Sequence, residues 1–161
     1  MITRNDDRVG RLRNSFGELA EHLVVPGIAK RFAEIGYHFG KIKNRRLQIP
    51  GRKKGQILTE VDILLENEDT VIAVEVKSRP QKVEGDFERD DVQRHVWRLE
   101  VLRQYRKDKG KPAKRILGAI AGAIFDDDVK KAALEAGFFV IGQSGDTMKI
   151  EIPEGFKPRE W

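Results

Sequence analysis

Asp62, Glu75 and Lys77 fall at the ends of two apolar runs, Val61 to Leu65 and Val71 to Val76, which are joined by the polar segment Glu66 to Thr70. Runs of that length around a short polar turn predict a β-hairpin over Thr59 to Lys77. An antiparallel hairpin brings the start of its first strand beside the end of its second, so two carboxylates and an ammonium converge at one sheet edge. Period-2 alternation puts Glu75 and Lys77 on one face with Val71 and Ala73. On the first strand it puts Glu60, Asp62 and Leu64 on one face and Val61, Ile63 and Leu65 on the other. Charges on otherwise buried strands cost solvation free energy, and something must offset it. A hard divalent cation does so: magnesium, with manganese as a substitute, keeps several waters and needs little more than two carboxylates and a main-chain carbonyl. Asp62, Glu75 and the carbonyl of Val76 fit that description. Lys77 beside them is placed to orient or deprotonate a water on the ion and to stabilise charge building on a phosphoryl oxygen. The chemistry that follows is phosphodiester hydrolysis by in-line attack.

Glu-x-Lys alone is a cheap pattern in a chain that is 35% charged. Asp128-Val129-Lys130 matches the related Asp-x-Lys form, yet it falls at a predicted helix start with no hairpin acid upstream. Position at a strand end, opposite a second acid, separates the two.

The elements that must position these groups can be read from the rest of the chain. Its 161 residues predict a single domain over 1–161, with a core large enough to fold without staples. With no cysteine and three scattered histidines, a disulfide framework and a thiolate zinc site are excluded, so a metal would have oxygen ligands. The polar first residues and the lack of a long apolar run predict a cytoplasmic protein with no membrane partner. Phe16, Leu19, Ala20, Leu23 and Val24 form a helical stripe that ends at Pro26-Gly27, and a second helix is expected from Pro26 to Ile35, stopped by Gly36. Glu21 lies beside the stripe and Glu18 nearly opposite it, so Glu21 is the better placed to reach a site beneath the helix, with Glu18 as its substitute.

An irregular strand over Lys41 to Gln48 leads into the turn Pro50 to Gly55. Phe87 to Lys107 carries Val92, Val96, Leu99 and Leu102 at helical spacing and reads as a crossover helix, with Gln93 and His95 near its start. Arg115 to Phe125 is apolar on both parities and rich in small residues, as expected of a central strand closely covered by helices. Asp126 offers an N-cap to a helix ending at Ala136 with Gly137 as its left-handed stop. Strands over Phe138 to Gly142 and Met148 to Ile152 close the chain, and Phe156 and Trp161 are tethers for the tail.

A net charge of +5, from 31 basic and 26 acidic residues, is modest, but its distribution is uneven. Arg45, Arg46, Arg52, Lys53 and Lys54 gather around the Pro50 to Gly55 turn with no acid before Glu60, the composition of a phosphate-backbone contact. A second group, Arg103, Arg106, Lys107, Lys109, Lys111, Lys114 and Arg115, crowds the crossover helix end, and a solvated charged surface with cations at a helix C-terminus accounts for about half of the two groups together.

Taken together, a helix with Gly17 and Glu21, the strand Glu60-Val61-Asp62-Ile63-Leu64-Leu65, the strand Val71 to Ser78, a long helix and a small-residue strand resemble the PD-(D/E)XK nuclease superfamily. Val140 to Asp146 also looks like the close of a bacterial group within it. The resemblance implies an α/β fold with a restriction-endonuclease-like αβββαβ core, a central mixed sheet flanked by helices, over about Asn14 to Phe125. It also implies Mg2+-dependent DNA endonuclease activity. Asp62 and Glu75 would be metal-binding acids, Lys77 the catalytic lysine and Glu21 the helix acid that completes the site. Val61 stands where a proline often precedes the first acid, and whether Glu60 or Asp62 reaches the metal depends on register. A homodimer matching duplex symmetry is the expectation by analogy. A catalytically inactive nucleic-acid-binding or protein-interaction module on the same fold is the alternative.

Overall fold

The computed structural model describes residues 22–161. Six strands, β1 (Ile42–Pro50), β2 (Ile57–Glu66), β3 (Thr70–Lys77), β4 (Arg115–Gly122), β5 (Phe139–Ser144) and β6 (Thr147–Glu151), form one sheet in sequence order. β1, β2 and β3 are antiparallel neighbours, β4 and β5 each run parallel to the strand before, and β6 turns back. Three helices, α1 (Ile28–Glu34), α2 (Asp91–Asp108) and α3 (Asp127–Glu135), cover the sheet on both faces. Three strands, crossover helix and parallel strand follow one another in the order of the αβββαβ expectation, and the helix expected ahead of them, with Gly17 and Glu21, lies outside the described residues except for its last residues.

Each face has its own core. On one, Ile28 and Phe32 of α1 pack on Ile63, Ile72, Val74, Leu117 and Phe139, and Phe32 meets Tyr37, Phe39 and Phe139 edge to face. On the other, Val92, Leu99 and Leu102 of α2, with Val129 and Ala133 of α3, pack on Leu64, Val71, Ala73, Ile116, Ile120 and Val140. β4 pairs with β3 at eight consecutive residues and is buried on both faces, which is why it reads as an unbroken apolar run. Gly118 is the close-approach point on the α2 side: a Cβ there would lie 2.7 Å from the Phe138 ring and 3.3 Å from Leu99.

Three local expectations change. The crossover helix begins at Asp91, after a separate turn at Phe87–Arg89, because Asp90 accepts from the Gln93 amide and caps it. Asp126 precedes α3 without capping it, because its carboxylate is taken by a two-pronged contact with Arg79 at 2.8 and 3.1 Å. Of the second basic group, Arg106 and Lys114 both bind Glu66, at 3.2 and 3.0 Å, and Arg115 binds Glu160 at 2.7 Å. The tail is tethered as its aromatics predict: Trp161 stacks on Phe138 at 5.0 Å and Phe156 meets Phe139 at 5.6 Å. Among the described residues no helix is long and apolar enough to cross a membrane.

Gly118→Val is expected to lower the unfolding free energy by about 2–3 kcal/mol through overpacking against Phe138. Gly142→Ala, where an added Cβ meets nothing within 4 Å, is expected to change it by under about 0.5 kcal/mol. Urea denaturation of the two variants checks both, and equal effects would contradict the close-approach assignment.

Candidate active site

The β2–β3 hairpin is where the chain places its acids. Pairing between the two strands stops at Ile63 with Val74. Upstream of that point β2 is held only by β1, as a two-stranded ribbon, and such ribbons twist more strongly than a sheet. The consequence is visible in the cores: Val61 packs on the α2 side with Leu64, whereas Ile63 and Leu65 pack on the α1 side. The strict alternation expected along β2 therefore breaks at Asp62. There the carboxylate reaches across the parted strands, and Oδ2 accepts the Val76 N–H at 2.8 Å.

Asp62 also shares a hydrogen bond with Glu75, so the two carboxyl groups are in contact and one of them holds a proton. Burial, the hydrogen bond from Glu75 and its negative charge together push Asp62 up to about 9. Burial would raise Glu75 as well, but the charge of Arg98 and the hydrogen bond with Asp62 outweigh it and hold Glu75 down to about 2. Lys77 acts on Glu75 through its charge and is itself partly exposed.

Beneath Glu75 lies a polar cluster on α2, of which the sequence pattern singled out His95 but not Arg98. Arg98 is buried, with a guanidinium nitrogen 2.6 Å from Glu75 Oε2, and its Nε donates to Thr59 Oγ1 at 2.9 Å. Arg98 Nη1, the nitrogen that faces Glu75, donates to His95 Nδ1 at 2.9 Å, and His95 Nε2 lies 3.1 Å from the Ala73 carbonyl oxygen. Only the Nε2–H tautomer satisfies both contacts. Burial, and then the Arg98 charge, hold His95 down to about 3, so it stays neutral. Burial likewise raises Asp91, whose carboxylate accepts the Gln81 N–H at 2.7 Å and feels the charges of Lys77 and Glu75. His95 and Arg98 occupy the stripe that holds Val92, Leu99 and Leu102. A cation on a helix's buried face needs an acid on the strand below, and that signal was open to the sequence.

The other expected residues are distributed as follows. Glu60 pairs with Gln48 of β1, two residues upstream of the break. Glu21 and Glu18 lie outside the described residues. Arg45 and Arg46 lie on β1, Arg46 with φ 54°, and both have interaction partners. Arg52, Lys53 and Lys54 are exposed at the ribbon tip. Lys130 of the control pattern binds Glu151 at 2.8 Å, an ordinary surface ion pair.

Asp62 and Glu75 put two carboxyl groups together beside the Val76 amide. Among the described residues no group of three or more His, Cys, Asp or Glu stands ready to hold a metal. A cation that keeps several waters fits a pair of carboxylates, and burial beside Glu75 pushes Asp62 towards its protonated form, so positive charge is wanted at this point.

No protein-family model matches this chain, and no curated protein matches it in sequence. Among solved structures, Pyrococcus furiosus SfsA in complex with Ca2+ aligns with it at 22% identity and a TM-score of 0.31, over 92% of this chain and 64% of that one. The chain thus spans less than two thirds of the length of that protein.

Arg98→Met leaves Glu75 buried without its counter-ion and is expected to cost about 3 kcal/mol in urea denaturation. Adding Glu75→Gln should restore part of that loss, and strictly additive losses would contradict the pairing. The pH profile has a sign for each group. Asp62 binds its proton more tightly folded than unfolded, so from its ordinary value of 3.8 up to about 9 rising pH withdraws stability. His95 works in reverse between about 3 and 6.5, and the contribution of Glu75 is lost as pH falls from 4.5 towards about 2. Above pH 6.5 Asp62 governs this cluster. Unfolding free energy measured without divalent ions is therefore expected to fall from there towards pH 9, by up to about 1 kcal/mol per pH unit. Asp62→Asn should remove that slope, and an unchanged slope in the variant would refute the shared proton.

Proposed function

We propose that this chain is a Mg2+-dependent nuclease that hydrolyses DNA phosphodiester bonds internally. The observation that carries the reading is the contact between Asp62 and Glu75. Two carboxylates and one buried guanidinium leave the cluster one positive charge short, and a proton on Asp62 makes up the difference. Asp62 and Glu75 would hold a cation at that point in place of the proton, which gives both acids a reason to be adjacent. When bound, Mg2+ or Mn2+ would supply Lewis acidity toward a phosphoryl oxygen and lower the pKa of a water.

The chain's own residues do the rest. Asp62 and Glu75 hold the donor geometry, the first through the Val76 amide and the second through Arg98. His95, fixed in one tautomer, orients Arg98 and keeps a second positive charge out of the cluster. Lys77 lies on the face of β3 that carries Glu75, where its ammonium can orient the attacking water and offset charge on the phosphate. Arg52, Lys53 and Lys54 lie at the same end of the sheet and supply non-specific attraction for the duplex backbone.

A second reading has its own support. Glu75 already has a charged partner at 2.6 Å, and the described acids near it number too few to form a cage. Those facts favour a nucleic-acid-binding or protein-interaction module in which Arg98 has taken over the cation's role.

Incubation with supercoiled plasmid separates the two readings. Under the first, nicking requires Mg2+ or Mn2+, stops with a chelator, and falls by about a hundredfold or more in Lys77→Ala and in Asp62→Asn. Salt-dependent DNA retention without metal-dependent nicking would decide for the second, and equal nicking by wild type and variants would reject the enzymatic reading.

A further inference from the structure

The β1–β2 ribbon does more than its cations require. Its last covered pair is Ile49 with Thr59, both buried. Beyond it the register slips, so that Pro50 pairs with Ile57 and Leu58 has no partner across the ribbon. Such a bulge re-aims side chains at a ribbon's end. Ile57 and Leu58 are 49% and 43% exposed, two large apolar residues side by side on a structure that projects past the sheet. Burial against the body of the protein would have been the ordinary outcome for them.

Their setting says what they meet. Between Lys41 and Thr59 the chain has seven Lys and Arg and no acid. Among the described residues Arg52, Lys53 and Lys54 form no ion pair with an acid. An apolar doublet in a cationic turn is ill matched to a second copy of the same turn and well matched to a polyanion that also offers apolar faces. Nucleic acid is such a polyanion: phosphates outside, base faces within. Short aliphatic side chains, Ile, Leu and Pro among them, are the kind that wedge between base steps.

From these features we infer that the ribbon tip is a wedge, with Ile57 and Leu58 entering the base stack where a duplex is interrupted by a gap, nick or fork while Arg52, Lys53 and Lys54 hold the flanking phosphates. An uninterrupted duplex must be unstacked to admit the wedge, whereas an interruption admits it without that cost. The inference deepens the nuclease reading and rests on it for the substrate's relation to the acids. Ile57 is five residues along β2 from Asp62, roughly 17 Å, which is the length of about five base pairs. Interruption and reacting phosphate would be separated by that span.

The test is equilibrium binding without divalent ions, so that it does not depend on hydrolysis. Two fluorescent DNA probes of equal length are compared, one a continuous duplex and one with a central gap and 2-aminopurine at its edge. Wild type is expected to bind the gapped probe about tenfold or more tightly than the continuous one, with a rise in 2-aminopurine fluorescence as the edge base unstacks. In I57S/L58S the ratio should fall towards one and the fluorescence rise should vanish, while I57M/L58M keeps both. R52A/K53A/K54A should weaken binding to either probe and flatten its salt dependence. Equal wild-type affinities, a preference that survives I57S/L58S, or no binding to either probe at low salt would each overturn the wedge. So would a concentration-dependent dimer abolished by I57S/L58S, which would assign the doublet to a second copy. A gap preference without plasmid nicking would reject the nuclease reading and leave the wedge standing.

Discussion

Two carboxylates in contact inside a protein are a constraint before they are anything else. Asp62 and Glu75 repel unless positive charge is brought to them, and the surrounding structure is arranged to bring it. Arg98 supplies one unit from α2, Thr59 and His95 fix where its guanidinium points, and the Ala73 carbonyl fixes His95. The second unit is left to a group that can come and go, a proton here and a cation under the nuclease reading. A site built this way is held rigidly on the α2 side, and its remaining positive charge is exchangeable.

The same constraint explains the shape of β2. If β2 and β3 stayed paired to their ends, the Val76 amide would belong to the ladder and Asp62 would alternate away from it. Parting the strands upstream of Ile63 frees that amide, turns Thr59 toward Arg98 and lets the ribbon run on past the sheet. One interruption of regular pairing thus sets both the geometry of the acids and the projection of the basic tip.

What could be read in advance was what depends on neighbours in sequence. The hairpin, the buried small-residue strand β4, the stop at Gly137 with φ 91° and the tethering aromatics all follow from local pattern. The alternation break at Asp62 was hidden because it depends on where another strand lets go. Arg98 and His95 were legible as polar interruptions of the apolar stripe, but their partners Glu75, Thr59 and Ala73 lie on strands far along the chain. The second basic group was over-read for the same reason: Arg106 and Lys114 find Glu66, and Arg115 finds Glu160, from far along the chain. Position at a strand end did separate the Asp62/Glu75/Lys77 set from the Asp128/Lys130 copy, whose lysine binds Glu151.

The origin of Arg98 in the crossover helix also orders events in time. The hairpin is local and its loop closes at little entropic cost, so its strands can meet early. Its acids then face each other without their guanidinium, because β3 and β4 are parallel and the helix that carries Arg98 is part of the connection between them. The contact of Arg98 with Glu75 therefore forms only with that connection and the non-local pairing of β3 with β4. The charge cluster thus works as a latch between the local hairpin and the long-range pairing of β3 with β4.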